Sequence, residues 1–150
     1  MIELIRLLSG KVILYMIYRQ DSWLEQWVNS RRGEAPLNFD VDTKRRAIEL
    51  ASKLKKVFHG CEIYWRRSSS GRGFHFAIAL DGKPVYVPKA LALALRHYCG
   101  DCYGRLKVDS IRLRQGRQIS ILFSWKNGFK AGAWRKLDRI KAIKEVKIWK

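Results

Sequence analysis

Apolar and polar residues alternate along several short stretches of the chain, and this alternation predicts β-strands. Between Leu37 and Asp42 the apolar residues occupy every second position, while Asn38, Asp40 and Asp42 occupy the positions between them. Residues two apart on a strand project to the same face. The pattern therefore predicts a strand with one apolar face and one polar face that carries two aspartates.

Other segments give the remaining predicted elements. Asp81-Gly82 is a typical hairpin turn. Thr43 is a typical N-cap for a helix that reaches Phe58 with an apolar period of 3.6 residues. Further strands are predicted over residues 12–18, 62–66, 74–80, 84–87, 105–109, 118–125 and 146–149, and further helices over residues 22–29, 88–97 and 133–143. This order predicts one α+β domain, 1–150, with helices packed on a mixed, mostly antiparallel sheet.

The charge of the chain indicates an anionic partner. Lys and Arg number 31 against 13 Asp and Glu, so the formal charge is +18 over 150 residues. Nucleic acid is the first candidate, because each neutralised phosphate releases counterions. An anionic membrane surface is the alternative. The apolar run 12–18 is too short to span a bilayer, and three cysteines suit a reducing compartment, so we expect a cytoplasmic protein without a membrane partner.

Asp40 and Asp42 are a candidate metal site. Two carboxylates on one face of a strand repel each other, and a divalent cation relieves that repulsion. Mg²⁺ is commonly held by one or two carboxylates together with substrate phosphates. The alternative is a strand end whose two carboxylates are simply solvated, because short acidic pairs are weakly specific motifs.

The segment Ser68-Ser69-Ser70-Gly71-Arg72-Gly73-Phe74-His75 lies between two predicted strands and is a candidate phosphate-binding loop. Glycines allow the backbone to approach an anion, and successive N–H groups form a cradle for it. Arg72 adds a guanidinium fork that suits phosphate oxygens. The alternative is an ordinary hairpin loop.

Together these motifs resemble the archaeo-eukaryotic primase superfamily, in particular the compact primase-polymerase domains of archaeal plasmids and viruses. Asp40 and Asp42 match its Asp-x-Asp motif, and the loop that contains Ser70 matches its Ser-Gly-x-Gly-x-His motif. Asp109 matches its third aspartate, which lies on a later strand. In Leu122-Phe123-Ser124-Trp125-Lys126-Asn127-Gly128, the lysine and the final glycine fit a further stretch of primase small subunits. The resemblance implies an RRM-like palm.

The resemblance also implies roles for these residues. Asp40, Asp42 and Asp109 would hold two divalent metals, Mg²⁺ or Mn²⁺, for phosphoryl transfer. The triphosphate of an incoming nucleotide would be bound by Ser70, Gly71, Arg72, Gly73, His75 and Lys126. The expected activity is that of a DNA primase or polymerase, a nucleotidyltransferase.

The expected partners are a DNA template, nucleoside triphosphates, and a helicase or other replication proteins. The alternative is a non-catalytic nucleic-acid-binding replication factor with the same fold. A rolling-circle nuclease is disfavoured, because His75 is flanked by Phe74 and Phe76 with no histidine at 73 or 77.

Five arginines are candidate nucleic-acid contacts, because they lie beside Trp65 or around Gly116: Arg66, Arg67, Arg112, Arg114 and Arg117. Cys99 and Cys102 have the spacing of a zinc-binding pair. A structural zinc site needs four ligands, however, so zinc is not expected.

Overall fold

A computed structural model of the chain describes residues 33–126 and 128–146. The strand predicted over 12–18 and the helix predicted over 22–29 lie outside the described residues. The same holds for all of the predicted last strand except Val146.

The strands are β1 Glu34–Pro36, β2 Asn38–Val41, β3 Glu62–Arg67, β4 Phe74–Leu80, β5 Lys83–Pro84, β6 Tyr86–Pro88, β7 Trp125–Lys126, β8 Phe129–Lys130 and β9 Arg135–Lys136. The main sheet has the strand order β2-β4-β3-β9, and β5 extends it beside β4. Two separate two-stranded ribbons pair β1 with β6 and β7 with β8. Every strand pair in the described residues is antiparallel, so the expected mixed sheet is antiparallel throughout this part of the chain.

The register of the three central strands gives the sheet an apolar face. Phe39 lies opposite Phe76, and Phe76 lies opposite Trp65 on the other side. Directly opposed residues share a face, so these rings form one buried layer. Helix α1, Lys44–Val57, contributes Ala47, Leu50, Ala51, Leu54 and Val57 to the same core.

The predicted helix from Thr43 to Phe58 is confirmed. Thr43 Oγ1 accepts the N–H of Arg46, as an N-cap should, and Phe58 is the C-cap. The ring centroids of Phe58 and Phe39 are 6.4 Å apart, which joins the helix to the sheet. The apolar residues that recur every 3.6 positions in the sequence therefore form the buried face of α1.

Helix α2, Lys89–Cys99, also confirms a predicted helix, whereas the strand predicted over 105–109 is wrong. Those residues belong to helix α3, Tyr103–Arg114. Ion pairs of helical spacing stabilise α3, since Arg105 pairs with Asp101 and Arg112 pairs with Asp109. The alternation of Leu106 and Val108 suggested a strand, but Val108 is exposed.

Two other predictions are wrong in the C-terminal part. Ser120 has a φ of 62°, which interrupts the strand expected over 118–125, and only Trp125 and Lys126 pair as β7. The helix expected over 133–143 is replaced by β9, which adds to the edge of β3, and by the short helix α4, Lys141–Lys144. Pairing with an existing sheet outweighs local helix propensity here.

The described residues thus form one compact α+β domain with antiparallel sheets and four helices. Within them, no helix has both the length and the apolar character needed to cross a membrane.

Candidate functional site

On the other face of the sheet, three polar residues form a row across three neighbouring strands. His75 on β4 lies opposite Asp40 on β2 and, on its other side, opposite Arg66 on β3. The three side chains therefore share one face. Arg66 Nε donates a hydrogen bond to His75 Nδ1 at 3.0 Å. We call Asp40, His75 and Arg66 the polar row.

His75 is neutral within this row. Burial lowers its pKa to about 3, and the positive charges of Arg66 and Arg105 act in the same direction. Because Nδ1 accepts the Arg66 hydrogen, the neutral ring carries its proton on Nε2. That atom lies 3.7 Å from Asp40 Oδ1, which is beyond hydrogen-bonding distance. An oxygen on this face of the sheet could therefore accept a hydrogen bond from His75 Nε2–H.

The Asp40 carboxyl ionises at a higher pH than an ordinary aspartate does. Burial raises its pKa to about 6, and the neighbouring carboxylates of Asp101 and Asp42 act in the same direction. Arg105 and Lys126 oppose this rise. Lys126 on β7 thus lies near enough to Asp40 for its positive charge to lower the pKa of that carboxyl.

Asp40 and Asp42 are a suitable pair of ligands for one divalent cation, because without it their carboxylates repel each other. Asp42 is exposed at the end of β2, and Cys102 Sγ lies 3.8 Å from its Oδ2. The like charge of Asp42 contributes to the raised pKa of Asp40, so a cation between the two carboxylates would remove a repulsion. The donor set is two carboxylates, which suits a magnesium or manganese ion that also binds substrate oxygens.

Asp109 does not join this pair. Its Oδ2 accepts hydrogen bonds from Arg96 Nη1 at 2.7 Å and from the Ser120 N–H at 3.0 Å, and its Oδ1 pairs with Arg112. Burial tends to raise the pKa of Asp109, but the Ser120 hydrogen bond and the Arg96 charge outweigh burial and lower it. Among the described residues, no group of three or more His, Cys, Asp or Glu side chains is arranged for a metal. The expected set of three carboxylates is therefore not assembled.

The Gly-rich loop packs directly against the end of β2. A Cβ on Gly73 would lie 2.6 Å from the Val41 carbonyl oxygen and 3.0 Å from Ser68 Oγ, so a side chain does not fit there. Ser68 and Gly73 close the loop with an N–H···O bond of 2.9 Å. The loop consequently lies beside Asp42, in contact with the candidate metal site.

Backbone donors of the loop converge on one oxygen. Ser70 Oγ accepts the N–H of Arg72 at 3.2 Å and that of Gly73 at 3.4 Å, while Gly71 has a φ of 73°. Successive N–H groups directed at one oxygen form an anion-binding nest. In the structure the Ser70 hydroxyl accepts these N–H groups, and the side chain of Arg72 is exposed.

A buried ionic network holds the backbone of Asp40, and the sequence did not reveal it. Asp101 Oδ1 accepts the Asp40 N–H at 2.7 Å, and the Cys102 N–H donates to the Asp40 carbonyl at 3.0 Å. Asp101 Oδ2 pairs with Arg96 Nε at 2.6 Å and with Arg105 Nη1 at 2.8 Å. The one available signal was an arginine within the apolar run of α2, since such a residue needs a buried partner.

The five candidate arginines occupy two places. Arg66 and Arg67 lie on β3, where Arg66 belongs to the polar row. Arg112, Arg114 and Arg117 lie at the end of α3 and in the turn that follows, and Gly116 in that turn has a φ of 67°. Arg112 forms an ion pair with Asp109, whereas Arg114 and Arg117 are exposed.

The three cysteines are free thiols in separate settings. Cys99 is buried in the core, and burial raises its pKa to about 12. Burial also raises the pKa of Cys61, whereas the Cys102 thiol lies next to Asp42.

Comparisons of the chain with protein-family models, with curated proteins and with solved structures gave no significant match.

Proposed function

We propose that this domain is a nucleotidyltransferase that binds a metal–nucleoside triphosphate at the end of β2 and joins nucleotides on a DNA template. The observation that carries the proposal is the meeting of Asp40, Asp42, His75 and the Gly-rich loop at one end of the sheet. These residues lie far apart in the sequence, and the antiparallel register brings together the motifs that resemble those of primase-polymerases.

Different residues of the chain would bind the metal, bind the phosphates and stabilise the developing charge. The Asp40 and Asp42 carboxylates would hold Mg²⁺ or Mn²⁺, which neutralises phosphate charge during transfer. The N–H groups of Arg72 and Gly73, now directed at Ser70 Oγ, would turn to phosphate oxygens. His75 Nε2–H would donate to a further oxygen, and Lys126 would stabilise negative charge near Asp40.

Two features support an RRM-like palm as part of this proposal. The central strands are antiparallel, with α1 on the apolar face, and the polar row lies on the opposite face. The acidic strand is next to the strand that carries the histidine, as the Asp-x-Asp and Ser-Gly-x-Gly-x-His motifs would require in a shared palm.

The position of Asp109 favours a second candidate. Its carboxylate is engaged by Arg96, Arg112 and the Ser120 N–H, so two carboxylates remain for metal. A domain with that set could bind DNA and nucleotides without catalysing transfer. In this case the protein would be a non-catalytic replication factor that acts with a helicase or other replication proteins.

Incorporation of a radiolabelled nucleotide separates the two candidates. Wild-type protein is incubated with Mg²⁺ or Mn²⁺ on primed and unprimed DNA, beside the double variant Asp40→Asn with Asp42→Asn. We expect the double variant to lose incorporation by about 100-fold or more, because phosphoryl transfer depends on charge stabilisation. Binding of a non-hydrolysable triphosphate should weaken as well, but by less, because the charge that develops in the transition state is absent from the bound ground state.

The matched control is Asp81→Asn with Asp138→Asn, which removes two exposed carboxylates elsewhere. This control keeps the wild-type rate if the site is specific. Nucleotide binding without incorporation by the wild type would favour the non-catalytic factor. Equal incorporation by the wild type and the Asp40/Asp42 variant would refute the proposed site.

A further inference from the structure

Several large aromatic side chains are exposed in one part of the chain that the polar row does not include. The exposed fractions are 58% for Phe123, 61% for Trp125, 67% for Phe129 and 41% for Trp134. Aromatic side chains contribute large areas to cores and interfaces, and exposed apolar patches mark binding surfaces. We call Phe123, Trp125, Phe129 and Trp134, with Lys126 and Lys130, the aromatic arm.

The ribbon of β7 and β8 places one ring and one lysine on each of its faces. Trp125 lies opposite Lys130, and Lys126 lies opposite Phe129. Opposed residues share a face, and Lys130 Nζ is 6.0 Å from the Trp125 ring centroid. Each face thus offers a stacking surface beside a cation. Single-stranded nucleic acid presents bases beside phosphates in the same way.

The arm lies next to the polar row. Arg66 Nη1 donates to Ser124 Oγ at 3.4 Å, and the Arg66 guanidinium lies 4.4 Å from the Trp134 ring centroid. The positive charge of Lys126 lies close enough to Asp40 to lower the pKa of that carboxyl. Gly132 and Ala133, which lie between Phe129 and Trp134 in the chain, help to line a cavity of about 410 Å³ that Arg66, Arg67 and Arg135 also line. The cations of the arm therefore continue towards the sheet.

We propose that the aromatic arm binds single-stranded nucleic acid by stacking bases on Trp125 and Phe129 while Lys126 and Lys130 contact phosphates. Duplex DNA hides its base faces within the stack, so it cannot use these rings in the same way. A second copy of this chain is opposed by the charge of +18 that each copy carries. Strand binding goes beyond nucleotidyl transfer, because it needs neither metal nor nucleotide; only its use as a template site rests on the proposed function.

Fluorescence anisotropy with labelled oligothymidine, without metal or nucleotide, tests the proposal. The variant is Trp125→Ala with Phe129→Ala, and the control is Tyr86→Ala with Tyr103→Ala, which removes two exposed rings outside the arm. We expect the arm variant to lose affinity by about 10-fold or more for each ring, and the control to stay within about 2-fold. Competition by duplex DNA should be weak.

A second variant guards against a folding defect. Trp125→Phe with Phe129→Tyr keeps two rings, so its affinity should stay within about 3-fold of wild type. Wild-type affinity in the alanine variant, or equal losses in the alanine and ring-keeping variants, would overturn the proposal. So would a change of oligomeric state in the alanine variant with its oligothymidine affinity unchanged, because the arm would then bind a second copy. Asp40→Asn with Asp42→Asn should leave oligothymidine binding intact, so failure of the arm and failure of the transfer site are distinguishable.

Discussion

His75 Nε2 lies 3.7 Å from Asp40 Oδ1 across the β2–β4 pair, and burial shifts the pKa values of the two groups in opposite directions. The pKa of Asp40 rises to about 6, and that of His75 falls to about 3. Between these values both side chains are neutral in the folded protein. At mildly acidic pH the pair is therefore uncharged, and near neutral pH only Asp40 is charged.

The first prediction concerns stability against pH. Unfolded His75 binds a proton below about pH 6.5, whereas the folded form does so only near 3, so this residue makes stability fall as pH falls. Asp40 has the opposite effect, because its folded form keeps a proton up to about 6 and its stabilisation is lost as pH rises through that value. The two slopes partly cancel in the wild type.

Asp40→Asn should remove one of these slopes. We expect the variant to be more stable than wild type at pH 7, by about 1–3 kcal/mol, and to lose stability more steeply between pH 6 and 4. Urea unfolding at several pH values measures both effects, with Asp138→Asn as the exposed control. Parallel pH profiles of wild type and Asp40→Asn would contradict the assigned pKa values.

The second prediction concerns proton release on metal binding. A carboxylate binds a metal in its ionised form, so binding at Asp40 must displace a proton below about pH 6. We expect Mn²⁺ affinity to rise by about tenfold per pH unit below pH 6 and to level off above it. Calorimetry in buffers of different ionisation enthalpy counts the released protons. A Mn²⁺ affinity that is independent of pH from 5 to 7 would place the metal elsewhere.

The third prediction concerns the close contact at Gly73. A Cβ there would lie 2.6 Å from a backbone oxygen of β2, so Gly73→Ala must move either the loop or the strand. We expect a loss of about 1–3 kcal/mol in unfolding free energy, together with weaker triphosphate binding. Gly104→Ala is the matched control, since a Cβ there meets nothing within 4 Å, so the unfolding free energy should not fall. Equal effects at both positions would contradict the packing.

The fourth prediction concerns the network that holds β2. Asp101→Asn retains an oxygen for the Asp40 N–H but leaves Arg96 and Arg105 without their shared charge. Breaking a buried pair in this way costs about 3–5 kcal/mol. The exposed pair of Arg45 and Glu49 provides the control, because Glu49→Gln should change stability by less than about 0.5 kcal/mol. Thermal unfolding at pH 7 compares the two variants.

Local patterns predicted the elements that carry the site, but not the contacts between them. The alternation of Asn38, Asp40 and the apolar residues placed the aspartates on one face, and the 3.6-residue period placed α1. The pairing of His75 with both Asp40 and Arg66 depends on the register of three strands, which no local pattern encodes.

The error at α3 has a related cause. Two apolar residues two positions apart are compatible with a strand or with a helix. The residues of α3 that are buried are Leu106 and Asp109, which have helical spacing, and Asp109 is charged. Asp109 pairs with Arg96 of α2 and receives the N–H of Ser120, which lies beyond the helix. These partners are defined by the folded chain, so the primase-like motif alone could not show that this carboxylate is occupied.

The last prediction uses Asp109 to separate a metal ligand from a structural carboxylate. In the structure its oxygens are engaged by Arg96, Arg112 and the Ser120 N–H, so Asp109→Asn should cost about 3–5 kcal/mol in unfolding free energy. The remaining folded protein should bind Mn²⁺ within about 2-fold of wild type, because Asp40 and Asp42 are unchanged. Asp42→Asn gives the opposite pattern, with stability nearly unchanged at an exposed position and Mn²⁺ affinity reduced by about tenfold or more. Stability like that of wild type in Asp109→Asn, combined with lost Mn²⁺ binding, would instead show that Asp109 leaves its arginines to complete a three-carboxylate site.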